Sequence, residues 1–278
     1  MPSNRSSPLL LASVLGPEEA AVALHCGADI LDLKDPREGS LGACAPDVLR
    51  AVVRMRDDES ERGAQVGDGP RRPRVSAALG DATNLPGTFA LAAAGAAACG
   101  VDYLKVGLRE LRGESESRRF LAAVVRAARE AAPHVGVIAA SYAEASSLGA
   151  LEPRILPRVA QSAGAQGCLI DTALKDGRTL FDHLDAESIA RFIADCRGRG
   201  LLCGLAGSLG LAQAPLLLEL GPDVVGVRGA ICAGGRSGRL DASRLRSFRA
   251  ALAGAGGARR GAAGRWTGGA WPTSKPPA

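Results

Sequence analysis

Apolar and polar positions along the chain fall into one unit that recurs eight times: a short apolar run of β character, then an amphipathic or alanine-rich helix. The strand-like runs are PLLLASV (8–14), DILDLK (29–34), RVSAAL (74–79), VDYLKVGL (101–108), VGVIAASY (135–142), GCLIDTA (167–173), LCGLAGS (202–208) and VVGVRGA (224–230). The helical segments after them cover 17–27, 45–56, 87–100, 116–132, 153–164, 186–200, 211–221 and 241–254. Strands are read from short apolar runs bounded by turn residues, helices from a period near 3.6. Gly27, Gly100, Gly164, Gly200 and Gly221 close helices just ahead of the next strand, where a left-handed residue is favoured. Eight consecutive strand–helix units over 8–254 predict one α/β domain, a (β/α)8 TIM barrel. A doubly wound open sheet is the structural alternative. It would show fewer strands and a Gly-rich nucleotide turn after the first.

Two stretches stand outside the repeat. Residues 57–73 (DDESERGAQVGDGPRRP) are polar, aperiodic and punctuated by Gly and Pro. They join a helix to the following strand, so they are expected as an insertion on the bottom face, away from a barrel's chemistry. Residues 255–278 are rich in Gly, Ala and Pro and are expected to form a disordered tail. At the other end, the run after Arg5 fits a first strand better than a secretory leader. No apolar run approaches the ~20 residues of a membrane helix, so no membrane partner is expected.

Composition narrows the chemistry. Aromatic residues are only 3% of the chain, which disfavours a base-stacking nucleic-acid module. The formal charge of +5 owes much to Arg259, Arg260, Arg265 and Lys275 near the end. What remains suits a phosphorylated metabolite better than DNA or RNA. The 7 cysteines are scattered singly, with no CxxC or finger spacing, as expected of reduced thiols in a cytoplasmic protein. No cluster of acids and histidines calls for a metal, and no cofactor motif is present; AGAGGARRG near the end lacks the strand before and helix after that a dinucleotide turn needs. The alanine-rich helix around 87–99 offers a surface on which a homo-oligomer could form.

The lysines carry the most information. Of 34 basic residues all but Lys34, Lys105, Lys175 and Lys275 are Arg. The first three lie at or just past the ends of the second, fourth and sixth strands, where a barrel keeps its reactive groups. A lysine amine, unlike a guanidinium, can lose its proton and attack a carbonyl. Strand alternation turns Leu31, Leu33, Leu104, Val106 and Ile170 toward the helices and Asp32, Lys34, Lys105 and Asp171 into the barrel, with Lys175 on the loop beyond. These inward charges are placed to share one layer. Crowded ammonium groups and burial lower the pKa of one lysine, and adjacent carboxylates can shuttle protons.

Gly207 and Ser208 end the seventh strand, and Gly229, Gly234 and Gly235 follow the eighth. Backbone N–H groups in such loops suit a phosphate, though plain turns use the same residues. Arg228 points away from the site if Val227 faces in. His183 follows the sixth-strand loop and reads as a solvated loop residue within reach of the site; His25 and His134 lie away from it.

The stretches DLKDPREGSLGA, PGTFALAAAGAAACGVDYLKVGL, LIDTALKDGRTLFD and VGVRGAICAGG, in this order, resemble the (5-formylfuran-3-yl)methyl phosphate synthase family of methanofuran biosynthesis. The likeness runs from Leu9 to Leu252. It implies a class-I-aldolase-like barrel, a carbon–oxygen lyase that joins two glyceraldehyde 3-phosphate molecules into a furan aldehyde phosphate with loss of phosphate and water. It implies a Schiff-base role for Lys34, further catalytic roles for Lys105, Lys175, Asp32 and Asp171, and triose phosphate as partner. Two rivals remain on the residues alone. An Asp-x-Lys strand end also suits a decarboxylase that forms no imine, and a barrel with an idle site could merely bind a metabolite. Borohydride trapping separates the first, turnover of glyceraldehyde 3-phosphate the second.

Overall fold

In a computed structural model, which describes residues 7–66 and 72–253, eight parallel strands close on themselves in chain order with helices between them. The order is β1 (Leu9–Val14), α1 (Pro17–His25), β2 (Ile30–Leu33), α2 (Pro46–Val66), β3 (Arg74–Asp81), α3 (Pro86–Ala97), β4 (Tyr103–Gly107), α4 (Glu114–Ala131) and β5 (Gly136–Tyr142). Then come α5 (Ala145–Leu148), α6 (Leu156–Ser162), β6 (Gly167–Asp171), α7 (Leu180–His183), α8 (Ala186–Gly198), β7 (Leu202–Leu205), α9 (Ala214–Leu220) and β8 (Val224–Val227). A small antiparallel pair, β9 (Cys232–Ala233) and β10 (Arg239–Leu240), precedes α10 (Ala242–Ala253). The predicted TIM barrel is the observed one.

Local signals explain the elements. Pro17 opens α1, with Glu18 and Glu19 in its first turn, where a missing N–H costs nothing and negative charge meets the helix dipole. The five predicted closing glycines all adopt positive φ, between 65° at Gly221 and 87° at Gly27 and Gly100. On α4 the buried Phe120, Leu121, Val124, Val125 and Ala128 repeat at helical spacing and face the sheet. No helix of the described residues is long and apolar enough to cross a membrane.

Most of the expected insertion is helix. α2 continues through Asp57–Glu61 and ends at Val66, so only 67–71 of the 57–73 stretch lies outside the described residues. The polar run breaks the hydrophobic period without stopping the helix. Good helix formers and the Arg62–Glu59 pair at 2.5 Å carry it on. The expected tail from 255 onward also lies outside the described residues.

Candidate active site

Following the paired residues once round the barrel returns to the starting strand eight residues away, the shear of a TIM barrel. Stepping with that shear sorts the inward side chains into layers from alternate strands. Asp32, Lys105, Leu169 and Gly226 form one layer. Ser13, Ala78, Ala140 and Ala206 form the next. Lys34, Gly107 and Asp171 lie above, with Arg228 just past β8. The four inward charges therefore occupy two layers rather than the single layer expected. Small residues replace the branched ones that usually fill a barrel, and the space becomes a cavity of about 370 Å³, a size that takes a small metabolite.

Two charge clusters meet in this cavity. In the lower one Asp32, fully buried, accepts from Lys105 Nζ at 2.6 Å, Ser76 Oγ at 2.9 Å and Ser13 Oγ at 3.1 Å. In the upper one Asp171 accepts from Lys175 Nζ at 3.0 Å and the Thr172 N–H at 2.7 Å, and its other oxygen lies 3.8 Å from Lys34 Nζ. Lys175 also donates to Thr172 Oγ1 at 3.0 Å. Lys34 is thus the least tightly paired of the three amines. Ser13 and Ser76 escaped notice in the sequence because their role is visible only once the neighbouring strands place them beside Asp32.

The electrostatics set Lys34 apart. Burial lowers its pKa from 10.5 to about 8; Asp171 and Asp32 oppose this, and Lys105 and Lys175 add to it. Burial would raise the Asp171 carboxyl, but the ammonium groups of Lys175 and Lys34 and the Thr172 N–H hold it well below the usual range. The site thus offers one amine easily made neutral beside a firmly ionised carboxylate, with two further lysines at hand.

The loops complete the site. The segment after β2 folds over the barrel mouth: Ser40 Oγ donates to the Thr172 carbonyl at 2.9 Å, and Leu41 is buried in the interior against Ala78, Ala140, Leu169 and Ala206. Asp81 accepts from the Ser40 N–H at 3.1 Å and from the Tyr142 hydroxyl, whose pKa burial pushes well up. Strict alternation hides Asp81, since it would send it outward. A register shift between Ala78 and Asp81, with Gly80 at φ 115°, turns it in. Glu144, also missed, accepts from the Ala173 and Leu174 N–H groups at 3.0 Å each, gripping the loop that carries Lys175. His183 is not the solvated residue expected: its side chain is 9% exposed and lies 3.8 Å from Glu144 Oε1, behind that loop.

Of the predicted loop residues, Gly207, Ser208 and Gly229 line the cavity and Gly234 and Gly235 do not; they bend the connection between β9 and β10. Ser208, at φ 50°, is the only non-glycine with positive φ among the described residues, a strained geometry typical of functional loops. The orientation on β8 is the reverse of the premise used for Arg228. Gly226 faces in and Val227 packs outward against the helices, so Arg228 comes back to the cavity wall.

Residues 10–249 match the family model described as 4-HFC-P synthase. The chain is 41% identical over 243 residues to (5-formylfuran-3-yl)methyl phosphate synthase of Methanocaldococcus jannaschii, covering 87% of this chain and 98% of the relative. It is 44% identical over 246 residues to the protein of the same name from Methanothermobacter thermautotrophicus, covering 88% and 98%. Among solved structures, KGPDC from Streptococcus mutans, solved with D-R5P, superposes with a TM-score of 0.58 at 13% identity, over 88% of this chain and 97% of that one. That likeness concerns the fold alone.

Proposed function

The chain belongs to the 4-HFC-P synthase family, and from that premise we propose that it condenses two molecules of glyceraldehyde 3-phosphate into (5-formylfuran-3-yl)methyl phosphate through an imine on Lys34. The observation that carries this reading is Lys34 itself: a buried amine with a pKa near 8, facing a cavity that holds two further lysines and an ionised aspartate. A neutral amine is the form that attacks a carbonyl.

The reaction needs no oxidant or reductant. Lys34 Nζ adds to the aldehyde of one triose phosphate with loss of water to give an iminium. Removal of the adjacent C2 proton gives an enamine that expels the C3 phosphate, and the methylene carbon so released forms the new C–C bond to the C2 carbonyl of the second triose, which has isomerised to its ketone. Hydrolysis of the imine returns the borrowed water. Loss of one inorganic phosphate and two waters overall then balances two trioses against one furan aldehyde phosphate. Asp171, bridged to both Lys34 and Lys175, is placed to exchange protons at the captured carbon. Lys105, fixed by its 2.6 Å hydrogen bond to Asp32, is placed to stabilise negative charge that develops in the cavity. Gly207, Ser208 and Gly229 are placed to receive a phosphate at the β7 and β8 ends.

Incubating the purified chain with glyceraldehyde 3-phosphate tests this. The expected result is a furan aldehyde phosphate by mass and ultraviolet absorbance, with one phosphate released per product. Consumption of the substrate to a different product, or none, rejects it.

A further inference from the structure

Two arginines reach the cavity wall from the loop after β8, and their hydrogen bonds divide their work. Arg228 is 6% exposed and fully committed. Its Nε donates to the Arg236 carbonyl at 2.8 Å. Its Nη1 donates to the Ser13 carbonyl at 2.9 Å and to Glu19 Oε2 at 2.8 Å. Its Nη2 donates to Glu19 Oε1 and the Gly238 carbonyl, both at 3.3 Å. A guanidinium has five N–H donors, and these five acceptors use them all. Glu19 neutralises its charge. Arg228 therefore has nothing left for a ligand, although it lines the cavity.

Arg236 is the opposite case. It lines the same cavity, half-buried, and donates one hydrogen bond, from Nη2 to the Gly39 carbonyl at 2.6 Å. No carboxylate among the described residues lies within ion-pair distance of it. The remaining N–H groups have no acceptor among the described residues, and none of them is buried, so they stay open to a ligand in the cavity. The charges lining the cavity also fail to balance. Lys34, Lys105, Lys175 and Arg236 face only Asp32 and Asp171 once Arg228 is cancelled by Glu19.

We propose that Arg236 is a phosphate-monoester receptor, forming a second anion subsite distinct from the Gly207–Ser208–Gly229 loops, and that Arg228 is the strut that presents it. This deepens the proposed function and rests on it for the identity of the ligand, since both substrates of that reaction arrive as phosphate monoesters. The planar guanidinium fork suits two phosphate oxygens. Its bond to Gly39 also ties the subsite to the loop that follows Lys34, so an occupied subsite holds that loop in place over the reacting amine.

The test is binding of inorganic phosphate and of glycerol 3-phosphate, by calorimetry and phosphorus NMR, to the full chain and to Arg236→Ala and Arg236→Lys variants. Wild type is expected to take two anions per chain. Arg236→Ala is expected to keep one and to bind the other at least about tenfold more weakly, the loss expected for a charge-assisted contact, with Arg236→Lys between them. Thermal unfolding of Arg236→Ala should match wild type, because the side chain makes only one bond to the fold. With glyceraldehyde 3-phosphate, KM should rise more than kcat falls in Arg236→Ala. Unchanged stoichiometry and affinity in Arg236→Ala overturn the inference. Binding is read without turnover, so a chain that loses one phosphate on Arg236→Ala yet makes no furan leaves the subsite standing and rejects the reaction. Full turnover with an unchanged KM does the reverse.

Discussion

Lys34 is set by what surrounds it: burial and two neighbouring lysines make its proton easier to lose, and two aspartates make it harder. The reactive form is the neutral amine, so imine formation should rise with pH around a midpoint near 8 and level off above it. The neighbours give the midpoint a sign that can be checked. Lys175→Met removes a repelling charge and should move the midpoint up, whereas Asp171→Asn removes an attracting one and should move it down. Reductive trapping rates against pH read both shifts even where turnover is lost. That Lys34, Lys105 and Lys175 would converge on one cavity was legible in the sequence, because they are the only lysines ahead of the final segment and all three fall at strand ends. Arg236 was not, because nothing in sequence says which of two nearby arginines has its donors already spent.

At the scale of elements, the site depends on loops gripped from behind. Glu144, 5% exposed, binds two consecutive N–H groups just ahead of Lys175 and packs against His183. Glu144→Ala should leave those N–H groups unpaired and let Lys175 drift from Asp171, costing about 1–3 kcal/mol for the lost acceptor. The expected readout is a fall in kcat of about tenfold or more, with the pH midpoint moved toward that of Lys175→Met; a change in stability with an unmoved pH profile would mean that Glu144 only supports the fold. Strand positions and their inward faces were readable from alternation on β2, β4 and β6, which are regular. Alternation failed at β3, where the register shift turns Asp81 inward, and the outer half of α2 was invisible to periodicity because residues 57–62 include no apolar side chain to mark a stripe.

The whole molecule separates stability from chemistry by the two ends of the barrel. At the end opposite the cavity, the fully buried Arg56 donates to Asp102 at 2.7 Å, and Asp102 also accepts from the Val75 N–H at 2.8 Å and from Arg74 at 3.2 Å. Removing Asp102 leaves the buried Arg56 with only the part-exposed Asp57 as counter-ion, and leaves the Val75 N–H without its carboxylate. Asp102→Ala should therefore lose about 3–5 kcal/mol in urea unfolding while kcat of the folded fraction stays at the wild-type value. The closed barrel was legible as a whole because eight units repeat with closing glycines, whereas its layers became visible only with the shear. The central claim is that Lys34 captures the substrate carbonyl, and borohydride reduction during incubation with glyceraldehyde 3-phosphate, followed by peptide mass mapping, tests it most directly. The predicted result is a triose phosphate adduct on Lys34 that is absent from Lys34→Arg. An adduct on Lys105 or Lys175 instead, or steady turnover with no adduct at all, would contradict it.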